Sequence, residues 1–455
     1  MSKSKTVAII GAGPTGLAAA AHALERNLRP IVLEAGPNVG HAVRQWSHVR
    51  MFSPWRYNVD AASGRLLQEA GWNSPDPDHY PTGGELAERY LDPLASRTPL
   101  AAHIRTDARV IAIARSGIDK VKTAGRETAH FEVRYRNGQG PSTLLADAVI
   151  DASGTWFSPN PAGTNGLPAL GEAEHAHRIA YGMPDVAGAA RARYAGKVVA
   201  VLGAGHSAAG AMIDLARLKQ EAPATEVIWL LRGDRPEKSY GGGANDQLAA
   251  RGQLGQQLAR VVEQGGVRVE TGFRVTHVTE SNGKLRLGAG STCCGRHVLV
   301  DELVVATGFR PDLSFLRELR LALDPALECP PALAPLIDPN MHSCGTVRPH
   351  GARELAQPEP GFYTAGMKSY GRAPTFLMMT GYEQVRSIVA DIAGDRDAAE
   401  RVELVLPETG VCSRPILEDD PAEGCCGGPP PAQANACCKA DAEAKAAGEA
   451  GCGCS

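Results

Sequence analysis

Residues 6–34 read TVAIIGAGPTGLAAAAHALERNLRPIVLE. The apolar run Thr6–Ile10 suits a buried parallel strand. A GxGxxG turn follows at Gly11-Ala12-Gly13-Pro14-Thr15-Gly16. Leu17–Arg26 then predicts an alanine-rich helix, and Ile31–Leu33 a second strand that closes on Glu34. Strand, glycine turn, helix, strand and terminal acid together make a dinucleotide-binding unit. The glycines permit a tight turn and close approach of the backbone to a pyrophosphate. The helix start offers amide donors and partial positive charge to the phosphates. Glu34 is placed to accept from ribose hydroxyls.

Residues 197–232 repeat the pattern. The strand Lys197–Leu202 runs into Gly203-Ala204-Gly205-His206-Ser207-Ala208. A helix is predicted over Ala209–Leu218 and a strand over Glu226–Leu231. Ala208 takes the third glycine position, which such turns permit. Here the second strand ends on Arg232 instead of an acid. A guanidinium favours a ribose 2′-phosphate where a carboxylate would repel it. The bland alternative is a solvated surface arginine. Two such units imply two dinucleotides, the architecture of a flavoprotein that takes hydride from NADPH.

Smaller signals agree. Thr82-Gly83-Gly84-Glu85 is a capping box that starts a helix over Leu86–Leu94. Asp151-Ala152-Ser153-Gly154-Thr155 ends the strand Ala148–Ile150, and Ala306-Thr307-Gly308-Phe309 ends a later one. Small residues at both places let chains cross closely. Gly361–Gly366 reads as a strand running into glycine, and Tyr382–Ile392 as a helix with an apolar stripe.

The 455 residues carry 47 Lys+Arg against 50 Asp+Glu, which argues against a nucleic-acid partner or a polybasic membrane surface. Glycine numbers 51, above the usual share of about 7%. The start resembles no signal peptide and no run approaches a membrane span, so the expectation is a cytoplasmic protein. In a reducing compartment its 11 cysteines read as thiols for metal or redox work. Cys425, Cys426, Cys437, Cys438, Cys452 and Cys454 fall in the last 31 residues, and residues 421–455 contain no Val, Ile, Leu, Phe, Met, Tyr or Trp. That composition predicts a disordered tail carrying thiophilic-metal ligands.

Gly11–Gly16 with Glu34, Gly203–Ala208 with Arg232, and the run Asp301 to Phe309 resemble the flavoprotein family with two dinucleotide folds. That family includes flavin-containing and N-hydroxylating monooxygenases. Val305 and Phe309 depart from its signature, and the glycine–histidine pair Gly171 and His175 lacks flanking aromatics. Met367 follows Gly366 where related disulfide reductases keep an aspartate, and no Cys-x-x-Cys occurs in the first 400 residues. Both points disfavour a thioredoxin-reductase-like enzyme. The stretches 341–351 and 368–375, with the cysteine-pair tail, are similar to flavin monooxygenases of bacterial arsenic-resistance operons.

The resemblance implies an α/β fold with two Rossmann-like domains. An FAD domain would span 1–160 and 301–406, an NADPH domain would be inserted over 161–300, and the Cys-rich tail would run over 407–455. It implies a monooxygenase that uses FAD, NADPH and O2 to convert arsenite, methylarsenite or antimonite to the pentavalent form through a flavin hydroperoxide. Cofactor contacts are expected at Gly11, Gly13, Pro14, Thr15, Gly16, Glu34, Trp46, Gly203, Gly205, His206, Ser207, Ala208, Arg232, Thr307, Gly308 and Gly366. Cys344 lies in a Gly/Pro/His-rich loop before the strand at Gly361. It is the expected thiolate for a soft trivalent centre, or else an inert thiol. His350 is expected to orient substrate or flavin. Two alternatives stand beside this reading: an N- or S-hydroxylating monooxygenase of a small organic molecule, and a metal-sequestering flavoprotein.

Overall fold

The computed structural model describes residues 4–241, 249–290, 295–341, 347–374 and 376–404. Its two main sheets are parallel, and each is organised around one glycine turn. The first runs in the order Phe362–Thr364, Ala148–Asp151, Thr6–Ile10, Arg29–Leu33, Ile104–Arg105. The second runs Arg268–Glu270, Glu226–Leu230, Val198–Leu202, Glu302–Val305, Ile179–Tyr181. Each lobe adds a three-stranded antiparallel meander. One comprises Arg109–Arg115, Phe131–Asn137 and Gly140–Ala146. The other comprises Val275–Ser281, Lys284–Ala289 and Arg296–Val300. The α/β class and the paired dinucleotide units stand as the sequence predicts.

The central strands are buried beyond their first residue because parallel sheets are covered on both faces. Val7, Ala8 and Ile9 are fully buried, as are Val199, Ala200 and Val201. The helix after the first turn runs Pro14–Glu25, three residues earlier than predicted, since Pro14 at its first position has the φ a helix requires. Its run Ala18–Ala21 is fully buried and lets the helix Met378–Ala393 pack close. The second-turn helix runs His206–Glu221. The capping box forms as read, with the Thr82 and Glu85 side chains exchanging backbone bonds.

One boundary needs correction. Residues 301–305 do not return to the first lobe, because Glu302–Val305 pairs in parallel with Val199–Leu202 in the second sheet. The chain crosses back over Ala306–Arg310 instead. There it runs antiparallel to the outgoing segment: the Asn160 amide donates to Gly308 O (2.9 Å) and the Arg310 amide to Ser158 O (2.9 Å). Trp156 stacks on Phe309 across this pair of connectors, ring centroids 4.8 Å apart.

The first-lobe meander is fastened by a buried ion triad. Glu359 receives both Arg115 (2.7 Å) and Arg126 (2.6 Å), all three side chains being buried. Burial alone would raise the Glu359 pKa, but Arg126, the Arg320 amide and Arg115 hold it below the ordinary value. Among the described residues no helix is long and apolar enough to cross a membrane.

Candidate functional site

The two glycine turns are built alike. Gly11 has φ +97°, and a Cβ there would sit 2.8 Å from Ala152 O. Gly203 has φ +145°, and a Cβ there would sit 2.4 Å from Ala306 O. So the first glycine of each turn passes under the carbonyl that ends the neighbouring strand, which explains the small residues at 152–154 and 306–308. Gly16 is required for another reason: its Cβ would fall 1.9 Å from Gly11 O. Gly13 and Gly205 have nothing within 4 Å of an added Cβ. Both are N-caps without a side-chain cap, so the first amides of each helix face open space. That is the cradle a pyrophosphate needs. Both turns therefore fit a dinucleotide.

Glu34 sits at the end of its strand, 8% exposed, accepting from the amides of Ala12 (2.7 Å) and Gly36 (2.9 Å). It stitches the turn, and each carboxylate oxygen keeps a further lone pair for a ribose hydroxyl. Thr15 lies beneath Gly366, whose Cβ would meet its Oγ1 at 2.9 Å. Pro14 starts the helix between them. In the second turn Ala204, Gly205 and His206 are exposed, Ser207 is half-buried and Ala208 is buried. Arg232 is exposed at the end of the strand Glu226–Leu230. Thr307 and Gly308 lie in the returning connector, where the Asn160 side-chain amide donates to Thr307 O (3.0 Å). Gly171 lies against the second meander, where a Cβ would be 2.1 Å from Val278 O.

Between the lobes is a cleft of about 500 Å³. Gln45, Ser47 and His48 come from the first lobe, and Trp156, Phe157, Pro159 and Phe309 from the connectors. Tyr181, Met183, Pro184, Asp185 and Ala189 come from the second lobe. The segment that lines its first-lobe side links both turns. It leaves the first turn where the Gly40 amide donates to Ala12 O (2.9 Å), and farther on the Phe52 ring meets the His206 ring at 5.2 Å. Its walls are mixed: Trp156, Phe157, Tyr181 and Phe309 give aromatic surface, and Gln45, Ser47, His48 and Asp185 give polar groups. The Tyr181 hydroxyl donates to Glu172 (2.7 Å). Burial and that carboxylate push its pKa up, so it stays protonated. His48 lines the cleft, and its buried Nε2 has no hydrogen-bond partner.

Two expected site residues are elsewhere. Trp46 packs its ring on Gly83, where a Cβ would meet it at 2.5 Å, while its neighbours line the cleft. His350 is not presented to substrate: it is 2% exposed, packed behind Gly366. The Gly366 amide donates to Gln384 Oε1 (2.8 Å), so Gln384 Nε2 must donate, to Ser369 Oγ (2.9 Å) and to His350 Nε2 (2.9 Å). His350 then carries its proton on Nδ1, toward Arg348 O (3.1 Å). Burial pushes its pKa down, which keeps it neutral.

Cys344 and the tail cysteines Cys425, Cys426, Cys437, Cys438, Cys452 and Cys454 lie outside the described residues, as does the predicted tail. Cys329 is described and fully buried. Burial pushes its thiol up to about 12, so it offers no thiolate.

The sequence model named pyridine nucleotide-disulphide oxidoreductase matches residues 8–330, across both turns and the cleft. The chain belongs to that family. It is 24% identical over 243 residues to an Arabidopsis thaliana protein, flavin-containing monooxygenase FMO GS-OX-like 2, covering 48% of each chain. The matched stretches span 39–50% of the length of the curated relatives. Among solved structures, the bacillithiol disulfide reductase Bdr (YpdA) of Bacillus cereus superposes with TM-score 0.62 at 19% identity, over 86% of this chain and 99% of that one. DfoA, the cadaverine monooxygenase of Erwinia amylovora, gives 0.59 at 14% identity, over 89% and 99%. These likenesses establish the shared fold.

Proposed function

We propose that this family member is an FAD- and NADPH-dependent monooxygenase, with FAD on the first turn and NADPH on the second. The observation that carries this is one cleft connected to both turns by the segment from Gly40 to Phe52. When bound, FAD supplies the electron transfer from NADPH and the activation of O2. Gly13 and the first amides of the helix Pro14–Glu25 hold its pyrophosphate, and Glu34 its ribose. Gly205 and the start of the helix His206–Glu221 hold that of NADPH, and Arg232 reads the 2′-phosphate. Trp156 and Phe309, stacked across the connectors, give the cleft its apolar wall. The monooxygenase names of the curated relatives support this reading.

The finer proposal is that the substrate is a trivalent arsenical or antimonite. Cys344 in the stretch 341–351 and the tail cysteine pairs support it, since thiolates suit soft centres. A second reading, oxygenation of a small organic amine or thioether, is favoured by a cleft that, among the described residues, is lined by Trp156, Phe157, Tyr181 and Phe309 and by no cysteine. The test is NADPH consumption with arsenite, antimonite, an amine or a thioether added, with peroxide and oxidised product measured in parallel. Arsenite-coupled turnover with arsenate formed is the expected result. Coupling to the organic substrate alone selects the second reading. The absence of any stimulated turnover overturns both and leaves metal sequestration.

A further inference from the structure

Asp151 and Lys368 are 217 residues apart in sequence, yet they form a fully buried ion pair, with Lys368 Nζ 2.6 Å from Asp151 Oδ2. Asp151 ends the strand Ala148–Asp151, directly beside Ile10. Lys368 lies in the 3-10 turn Gly366–Tyr370 that follows the strand Phe362–Thr364. Ser153 joins them: its amide and hydroxyl donate to Asp151 Oδ1 (3.1 and 2.6 Å), and its hydroxyl accepts from Lys368 (3.1 Å). The remaining face of the ammonium meets the Phe315 ring, 4.3 Å from its centroid. Ser153 is exposed, Phe315 half-buried, and the two charged residues buried.

A buried charge pair is a costly way to fill space, and apolar residues of similar volume commonly stabilise a fold as well or better. Its location gives it a different use. The loop that Asp151 holds supplies Ala152 O and Ser153 Cα, which lie 2.8 and 3.0 Å from where a Gly11 Cβ would be. The loop that Lys368 holds supplies Gly366, packed on Thr15 of the first-turn helix. The pair therefore ties together the two loops that flank the first glycine turn, one against its entry and one against its helix. Gln384 and Ser369 fix the second loop from behind by binding the Gly366 amide and carbonyl.

We propose that Asp151 and Lys368, with Ser153 as the link, are positioning residues for the first dinucleotide turn: they fix the spacing of its flanking loops so that FAD binds to a preorganised cradle. This rests on the assignment of FAD to that turn. The effect is on retention of the cofactor, beyond what the pair contributes to folding.

The test uses the flavin-loaded protein. Flavin release is followed by its fluorescence after dilution, and unfolding in denaturant by tryptophan fluorescence. Lys368→Met leaves Asp151 uncompensated and is expected both to lower the unfolding midpoint and to speed flavin release by about tenfold or more. The double variant Asp151→Asn with Lys368→Met buries no charge, so its midpoint recovers toward the parent while release stays about tenfold faster. Ser153→Ala keeps the two charges in contact and removes the link, with about fivefold faster release expected at a near-parent midpoint. Parent-like release in the double variant overturns the proposal. If the double variant does not fold, parent-like release in Ser153→Ala overturns it. A parent protein that neither holds nor takes up FAD instead refutes the FAD assignment.

Discussion

The two glycine turns share a backbone plan and differ in how firmly they are held. The first is closed in. Ala12, Thr15 and Gly16 are buried, the Gly11 amide donates to Leu33 O at 2.8 Å, Glu34 clasps the Ala12 amide, and two further loops press on it. The second is open. Ala204, Gly205 and His206 are exposed, and the Gly203 amide reaches Leu230 O at 3.4 Å. Its firm tether is the Trp229 indole, which donates to Gly203 O at 2.7 Å. A closed turn suits a cofactor that stays, and an open one suits a coenzyme that comes and goes. The two turns thus suit different residence times, set by what surrounds them.

The sharpest way to break the comparison is the third glycine position, where the second turn natively carries alanine. Gly16→Ala places a methyl 1.9 Å from Gly11 O, and neither backbone can yield. We expect a loss of about 3 kcal/mol or more and no flavin in the purified protein, read from the denaturant midpoint and the visible spectrum. One aspartate in each lobe should also answer acid oppositely. Burial pushes Asp60 up, but His22 at 3.0 Å, with Ser63, outweighs it and holds Asp60 below its ordinary 3.8. Its contribution is therefore in place above that value and is lost as pH falls through the lowered one. In the second lobe burial outweighs Arg217 and His48 and holds Asp214 above 3.8, so protonation favours the fold as pH falls through the raised value. Asp60→Asn should cost about 1.5–3 kcal/mol at pH 7, a deficit that shrinks in strong acid, whereas Asp214→Asn should raise the melting temperature at pH 7 and lose that gain below pH 3.8. Thermal melts across pH check both.

Arg232→Ala should weaken NADPH binding about tenfold and leave NADH nearly unchanged, as measured by titration. Equal losses would show that Arg232 does not read the phosphate. The smallest change is Ala208→Gly, which imitates the first turn in the second. It should cost only about 0.5–1 kcal/mol by denaturant melt, the ordinary helix penalty, because no contact requires glycine there.

What was legible in the sequence is what chain neighbours encode. Both turns, their flanking strands and the Thr82 capping box lie within short windows whose periodicity and glycine spacing carry the signal. An apolar pattern gives the helix His206–Glu221 only as Ala209–Leu218, because polar residues at its ends hide its length. An apolar run does not name its partner, so the sequence places the strand Glu302–Val305 with the first lobe while it pairs in the second. The site's supports were illegible for the same reason. Lys368 meets Asp151, Gln384 meets His350 and Glu359 meets Arg115 only after the sheets assemble. His48 carries no motif at all. One hint was present: a lysine beside the Gly366 turn, where charge would ordinarily be kept out of a core.

The paired connectors have a consequence for how such a protein can be remade. The second lobe departs and returns through one doorway, where the Asn160 amide touches Gly308 O at 2.9 Å. An insertion whose two ends are already neighbours adds little to the entropy of closing the host around it. The lobe from Pro161 to Thr307 is thus a cassette. It can be exchanged for one with another coenzyme preference while the first sheet keeps every strand, and the stacked Trp156 and Phe309 mark where the seam must be cut.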